Sequence, residues 1–240
     1  MSSFFSIITS VSLFCFFGGW GDSLHAKGST YSSIDSRGVP FDLKLIEIMD
    51  MENGIFIEVG AYDGVIQSNT KLLEECYGWS GILIEPSKET FEILNKNRPS
   101  SFCIQCALGS FEEDNTFVWG DFDGGPMSSV NGNRLNRDAE QMVLMRSLQS
   151  ILDEMKFHHI NFFSLDVEGY ELNVLLGIDF NKTIFDYLLI EIQDDQFDDI
   201  VRLLDINEYE LVENFSNYNV EMNQDWDGTH NDFLFKRRNL

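Results

Sequence analysis

The stretch that most constrains this chain is Ile55 to Gly64, Ile-Phe-Ile-Glu-Val-Gly-Ala-Tyr-Asp-Gly. Its branched, apolar first half fits a buried strand, and its second half is a turn bracketed by Gly60 and Gly64. A polar, helix-compatible segment follows from Gln67 to Tyr77, with Ser68 able to cap it and Leu72, Leu73, Cys76 and Tyr77 on one face. Strand, glycine turn and helix form the first half of a nucleotide-binding βαβ unit, in which backbone and helix N-terminus approach a ligand closely.

The same alternation continues along the chain. Gly81 to Glu85 reads as a second strand, and Ser87 as the cap of a helix with Phe91 and Leu94 inward. Phe102 to Cys106 is a third strand running into Ala107-Leu108-Gly109. Phe111 to Trp119 forms an extra strand or hairpin, and Gly120 to Asn133 a loop near the site, positioned as a lid. The apolar spacing from Met142 to Met155 predicts a helix. Ile160 to Leu165 and Tyr187 to Ile192 are strands, Phe197 to Leu204 a helix, and Tyr209–Glu213 and Asp232–Lys236 two closing strands. A lead-in helix is expected over Leu43 to Met49. Units of this length imply a doubly wound, mostly parallel sheet with its site at the strand carboxyl ends.

Those ends carry acids: Glu58, Asp63, Glu85, Asp166, Glu168 and Glu191. Carboxylates there can hold ribose hydroxyls, orient a cation, take a proton or hold a hard metal. Glu85 lies 25 residues beyond Gly60, near the offset at which a carboxylate meets a ribose diol. The turn is not Gly-x-Gly-x-x-Gly, no basic residue flanks it, and there is no Gly-Lys-Ser/Thr, so pyrophosphate ligands and phosphotransfer are disfavoured. Charge points the same way: 40 acidic against 16 basic residues give a formal −24. Such a surface repels phosphate backbones, which argues against a nucleic-acid partner.

Of the four cysteines, Cys103 and Cys106 have zinc-like spacing, but no second pair or nearby histidine completes a site. The alternation Phe102, Ile104, Cys106 reads instead as a core strand. His158 and His159 precede a strand at the end away from the site. Met1 to Gly21 contains no charged side chain, and Phe4 to Phe17 is almost wholly apolar. Residues 1–25 are therefore expected to be a signal peptide or membrane anchor, with residues 4–20 as the possible tether. Residues 26–40 are expected to be a Ser/Gly-rich linker, and residues 41–240 one catalytic domain. A secretory or membrane-anchored location follows from the leader. In a lumen, Asn181-Lys182-Thr183 and Asn214-Phe215-Ser216 become glycosylation acceptors.

Taken in order, Val59-Gly60-Ala61-Tyr62-Asp63-Gly64, Ile84-Glu85-Pro86, Ala107-Leu108-Gly109 and Asp166-Val167-Glu168-Gly169-Tyr170-Glu171 resemble the FkbM family of S-adenosylmethionine-dependent methyltransferases. The resemblance spans about residues 50 to 235. It implies a class I methyltransferase fold: a Rossmann-like α/β sheet of seven mostly parallel strands, the last antiparallel, with helices on both faces. It also implies S-adenosyl-L-methionine as cofactor. Glu58, Gly60, Ala61, Asp63 and Gly64 would surround its methionine end, Glu85 its ribose, and Ala107 and Leu108 its adenine. Asp166 and Glu168 would face the acceptor as base or orienter, and no metal is required. The implied reaction is O-methylation of a hydroxyl on a sugar or small metabolite, so the partner is a small-molecule or glycan acceptor. The competing reading is a catalytically silent, tethered methyltransferase-like protein acting in binding or trafficking. The intact acids and glycine turn favour the enzyme.

Overall fold

The computed structural model describes residues 30–122, 125, 127–132, 134–224 and 226–240. The expected leader, residues 1–25, lies outside the described residues. Among those that are described, no helix is long and apolar enough to cross a membrane.

The elements run in the order α1 (Phe41–Met49), β1 (Ile55–Val59), α2 (Lys71–Tyr77), β2 (Ser80–Ile84), α3 (Lys88–Asn97), β3 (Phe102–Ile104), β4 (Ala107–Gly109), β5 (Thr116–Gly120) and β6 (Gln141–Ser147). They continue with α4 (Leu148–Met155), β7 (His159–Leu165), α5 (Glu171–Leu175), β8 (Ile184–Gln193), α6 (Phe197–Ile206), β9 (Tyr209–Asn214) and β10 (His230–Arg237). Seven strands form one sheet in the order β3-β2-β1-β7-β8-β10-β9. β1 pairs in parallel with β2 on one side and β7 on the other, and only β10 runs against the direction of the other six strands. The last strand in the chain is thus the reversed one, as the resemblance implies. The chain moves outward from β1 to β3 and returns to β7 across β1, so the strand order reverses at the β1–β7 seam. A ligand crevice opens at such a switch point, beyond the strand carboxyl ends.

Alternation along β1 explains why both faces must be covered. Phe56 packs with Phe41 and Leu45 of α1, Leu73 of α2 and Leu94 of α3. Ile57 and Val59 point to the other face, against residues of α4, α5 and α6. Both sets are almost fully shielded from water. A parallel strand buried on both faces reads as a continuous apolar run, as β1, β2 and β7 do.

Several expectations shift. Met142 to Ser147 is a strand, not the start of a helix, and joins β4 and β5 in a separate three-stranded sheet. Pairing with β5 decides the matter, since a run such as Met-Val-Leu-Met fits either period. The helix starts only at Leu148, where the Ser147 hydroxyl accepts the Ser150 amide at 3.2 Å. Phe102 is exposed rather than inward because β3 is an edge strand. Cys76 is also exposed. Residues 31–40, expected as linker, are held on the domain: the Ser36 amide donates to the Ser216 carbonyl (2.8 Å), and the Tyr218 hydroxyl to that of Ile34 (2.7 Å).

Beneath the β1 turn lies Arg98, fully buried. Its guanidinium donates to the Gly64 carbonyl (3.0 Å), to Ser68 Oγ (3.2 Å), to Thr70 Oγ1 (3.0 Å) and to the Glu74 carboxylate. Glu58 stands 3.8 Å away. A buried charge is tolerable only when paired and hydrogen-bonded, and here every arm has a partner. Arg98→Ala strands Glu58 and Glu74 without their cation, so urea unfolding is expected to show a loss of roughly 3–5 kcal/mol. A loss below about 1 kcal/mol, the worth of an exposed pair, would contradict this role.

Candidate active site

The crevice at the β1–β7 seam has an open volume of about 820 Å³. Its floor is the β1 turn. Gly60 adopts φ +77°, and a Cβ there would come within 1.8 Å of the Asp166 carbonyl oxygen. Only glycine satisfies both demands. The turn is not an anion cradle, because its amides are already committed. Gly60 and Ala61 N–H donate to the Ile84 carbonyl, Tyr62 N–H to Glu85 (3.0 Å), Gly64 N–H to the Ala61 carbonyl, and Val65 and Ile66 N–H to Asp63. With those donors spent and acids around it, the crevice suits a cation.

Glu58, at the end of β1, lines the crevice, and its carboxylate accepts from Ser68 Oγ (2.9 Å), Thr70 Oγ1 and the Asn69 amide (2.8 Å). It therefore fixes the segment entering α2 while presenting negative charge. Glu85, just past β2, is buried and accepts from the Tyr62 and Ser87 amides and from Thr90 Oγ1 (3.0 Å). A carboxylate offers about four acceptor positions, so three bonds leave capacity for a ligand hydroxyl. Burial pushes its carboxyl up to about 7, against the pull of those three donors. Ala107 and Leu108 of β4, with Cys106, Phe122 and Val130, supply an apolar wall.

At the other end stand the acids of the Asp-x-Glu-Gly-x-Glu box. Glu171 is wholly buried and accepts the Val167 (3.0 Å) and Gly169 (3.1 Å) amides, shaping the loop from within. Asp166 and Glu168 instead line the crevice. Carboxylate oxygens of Asp166, Glu168 and Glu191 all lie within 4.8 Å of one another. Glu168 accepts from Arg134 Nε at 2.8 Å. His230 Nε2 stands 3.4 Å from Glu191 Oε1.

Crowded carboxyls out of water retain protons. Asp166 has surface open to the crevice, yet protein atoms close around it on the other sides. That desolvation pushes its carboxyl up to about 6; Arg134 pulls down and Glu58 pushes up. Glu168 is raised to about 8 by burial and then by Asp166, Glu171 to about 7 by burial, and Asp232 to about 7 by burial and then Asp166. Glu191 is raised strongly by burial and its acidic neighbours.

The organic cation S-adenosylmethionine fits this donor set. Glu58 lies by the turn where its ammonium group would sit, Glu85 can take ribose hydroxyls, and the wall at Ala107 and Leu108 suits a flat base. A class I, S-adenosylmethionine-dependent methyltransferase is what this sheet and crevice define. Residues 58–211, well over half the chain, match the Methyltransferase FkbM domain. The chain belongs to the FkbM methyltransferase family, and S-adenosylmethionine is its cofactor. No curated protein sequence matches it.

Among solved structures it is similar to a TehB-like SAM-dependent methyltransferase from Corynebacterium glutamicum, at 8% identity over 82% of this chain and 88% of that one, TM-score 0.44. It is also similar to a precorrin-6y C5,15-methyltransferase from Geobacter metallireducens, at 7% identity over 87% and 94%, TM-score 0.47. A third is Aeropyrum pernix fibrillarin with natively bound S-adenosyl-L-methionine, at 11% identity over 77% and 67%, TM-score 0.45.

Of the residues singled out from sequence, Glu58, Gly60, Ala61, Glu85, Ala107, Leu108, Asp166 and Glu168 all line the crevice. Asp63 and Gly64 are not among its lining residues. Asp63 caps the turn through the Val65 and Ile66 amides, and Gly64 (φ +75°) packs against Leu94 and Arg98. Arg134, His230 and Asp232 carry no motif and escape a sequence reading; Glu191 shows itself only as an acid at a strand end.

Raised carboxyls carry a sign. Between the ordinary value near 4 and about 7 to 8, the fold binds protons that the unfolded chain has released, so stability falls as pH rises through that window. Thermal melts at pH 5, 6, 7 and 8 are expected to show a steadily falling midpoint. A midpoint that rises over that range would contradict the assignment.

Proposed function

We propose that this methyltransferase acts on oxygen, methylating a hydroxyl of a small-molecule or glycan acceptor, with Asp166 as the proton acceptor and Glu168 as the group that orients the substrate. The observation that carries this reading is the position of Asp166. It follows β7 directly, its amide donates to the Val59 carbonyl at 3.2 Å, and its side chain is open to the crevice beside the Gly60 turn.

S-adenosylmethionine, when bound, supplies an electrophilic methyl on a sulfonium sulfur. A hydroxyl is a weak nucleophile until its proton has somewhere to go. Asp166, open to the crevice beside the Gly60 turn, would take the hydroxyl proton of an acceptor placed there. A carboxyl raised to about 6 is still ionised near neutral pH, yet more basic than an ordinary aspartate. Glu58 and Glu85 hold the reactants in register, and alignment supplies much of the rate in a two-body displacement. The acid-lined walls and the formal charge of −24 disfavour anionic acceptors such as nucleic acid. The charge-free stretch from Met1 to Gly21 supports routing to the secretory pathway or tethering to a membrane through residues 4–20.

The test is mass spectrometry of extract from the protein's own cells, incubated with purified enzyme and S-adenosylmethionine bearing a deuterated methyl. A labelled hydroxyl is expected in the product. Asp166→Asn is expected to lose activity by about 10²-fold or more while affinity for S-adenosylhomocysteine, which carries no sulfonium charge, stays near wild type. A labelled nitrogen or carbon, or an Asp166→Asn variant with full activity, would overturn the proposal.

A further inference from the structure

The base assigned above sits in an acidic crowd, and one side chain organises that crowd. Arg134 lies in the 121–140 connection between β5 and β6, and its side chain is 8% exposed. Its planar head uses all three nitrogens on two different parts of the molecule. Nε donates to Glu168 Oε2 at 2.8 Å, after β7. Nη2 is 2.9 Å from Asp227 Oδ2 and 3.1 Å from His230 Nδ1, and Nη1 donates to Thr229 Oγ1 at 3.4 Å, all before or at the start of β10. Its own amide donates to Ser129 Oγ at 3.0 Å, and the Ser129 amide to Asp121 Oδ1 at 2.7 Å. Ser129 and Val130 are part of the crevice wall. A guanidinium can serve such a set because its donors form a rigid fork; an ammonium cannot reach them together.

We infer that Arg134 is a positioning residue for methyl transfer: by clamping Glu168 to the 226–230 turn, it leaves Asp166 as the carboxyl that takes the acceptor's proton. The inference rests on the reading of Asp166 as proton acceptor. Glu168 has φ +58°, an unusual backbone for a glutamate, so its orientation needs a partner to hold it. The clamp also sets charge. The ionisable groups that act on Asp166 and Glu168 are Glu58 of β1, Glu171 of α5, Glu191 of β8 and Asp232 of β10, together with Arg134. His230 and Asp227 face Arg134 from the other side, and burial holds His230 below its ordinary value. Arg134 is the strongest influence favouring an ionised Asp166. Without it, Glu168 loses its ion-pair partner beside Asp166 and Glu191, and Asp166 keeps its proton to higher pH.

The experiment needs no acceptor. S-adenosylmethionine is a sulfonium cation and S-adenosylhomocysteine its neutral counterpart, so the ratio of their affinities reports negative charge at the reacting end. Calorimetry from pH 5 to 8.5 is expected to show that ratio rising in the wild type with a midpoint near 6. Arg134→Ala and the gentler Arg134→Gln, which retains hydrogen bonds without charge, are expected to move the midpoint up by about one unit or more. Arg134→Lys is expected to bring it most of the way back. If Arg134→Ala does not fold, Arg134→Gln decides. A sloping wild type whose midpoint stays put in the Gln variant, with both ligands weakened equally at every pH, would make Arg134 merely structural and end the inference. A ratio that is flat in the wild type would instead overturn the role given to Asp166.

Discussion

The contact on which the site depends is the approach of two backbones, Gly60 after β1 and Asp166 after β7. The pairing of β1 with β7 continues past the last residue of β7 through the Asp166 amide and the Val59 carbonyl. The chain at Gly60 then turns with φ +77°, so close to the Asp166 carbonyl that no side chain fits between them. Two consequences follow from this one junction. The crevice floor is bare backbone, which lets a ligand sit deep. The first acid of the Asp-x-Glu-Gly-x-Glu box is fixed beside it by main-chain geometry rather than by a flexible loop. Everything further out, from Arg98 underneath to Glu85 at the side, serves to hold this seam rigid.

Electrostatics then decides what the seam can bind. The turn's amides are consumed internally, by Ile84, Glu85, Ala61 and Asp63, so the helix-terminus logic of phosphate binding does not operate. The charges that remain are carboxylates, partly protonated because they are crowded and dry. A sulfonium is the natural guest for such a place: it is attracted by negative charge and cannot donate a proton to neutralise it. The same crowding yields a base stronger than free aspartate. In the proposed reaction one arrangement would serve both cofactor recognition and proton transfer, and it carries a cost in stability as pH rises.

Much of this is legible in the sequence, because it rests on local patterns. The buried strands are apolar runs, the turn is marked by glycines, and Glu85 lies at the right offset from Gly60. Three kinds of feature are not legible, each for a physical reason. Met142 to Ser147 is a strand because β5 lies beside it, and its apolar run fits a helix equally well. Asp63 and Gly64 belong to the recognisable motif yet serve the turn and the Arg98 packing, since a motif does not distinguish holding a ligand from holding itself. Arg134 meets Glu168 across 34 residues and His230 across 96, and no local signal announces a contact of that kind. Tertiary pairing created all three.

The central claim is that the Gly60–Asp166 junction is the floor of the S-adenosylmethionine site. The most direct measurement is calorimetric titration of S-adenosylmethionine into the wild type and into Gly60→Ala, with near-ultraviolet circular dichroism confirming that both are folded. Saturable one-to-one binding by the wild type, abolished in a folded Gly60→Ala protein, is the expected result. Wild-type affinity in that variant, or no binding by the wild type, would contradict the claim.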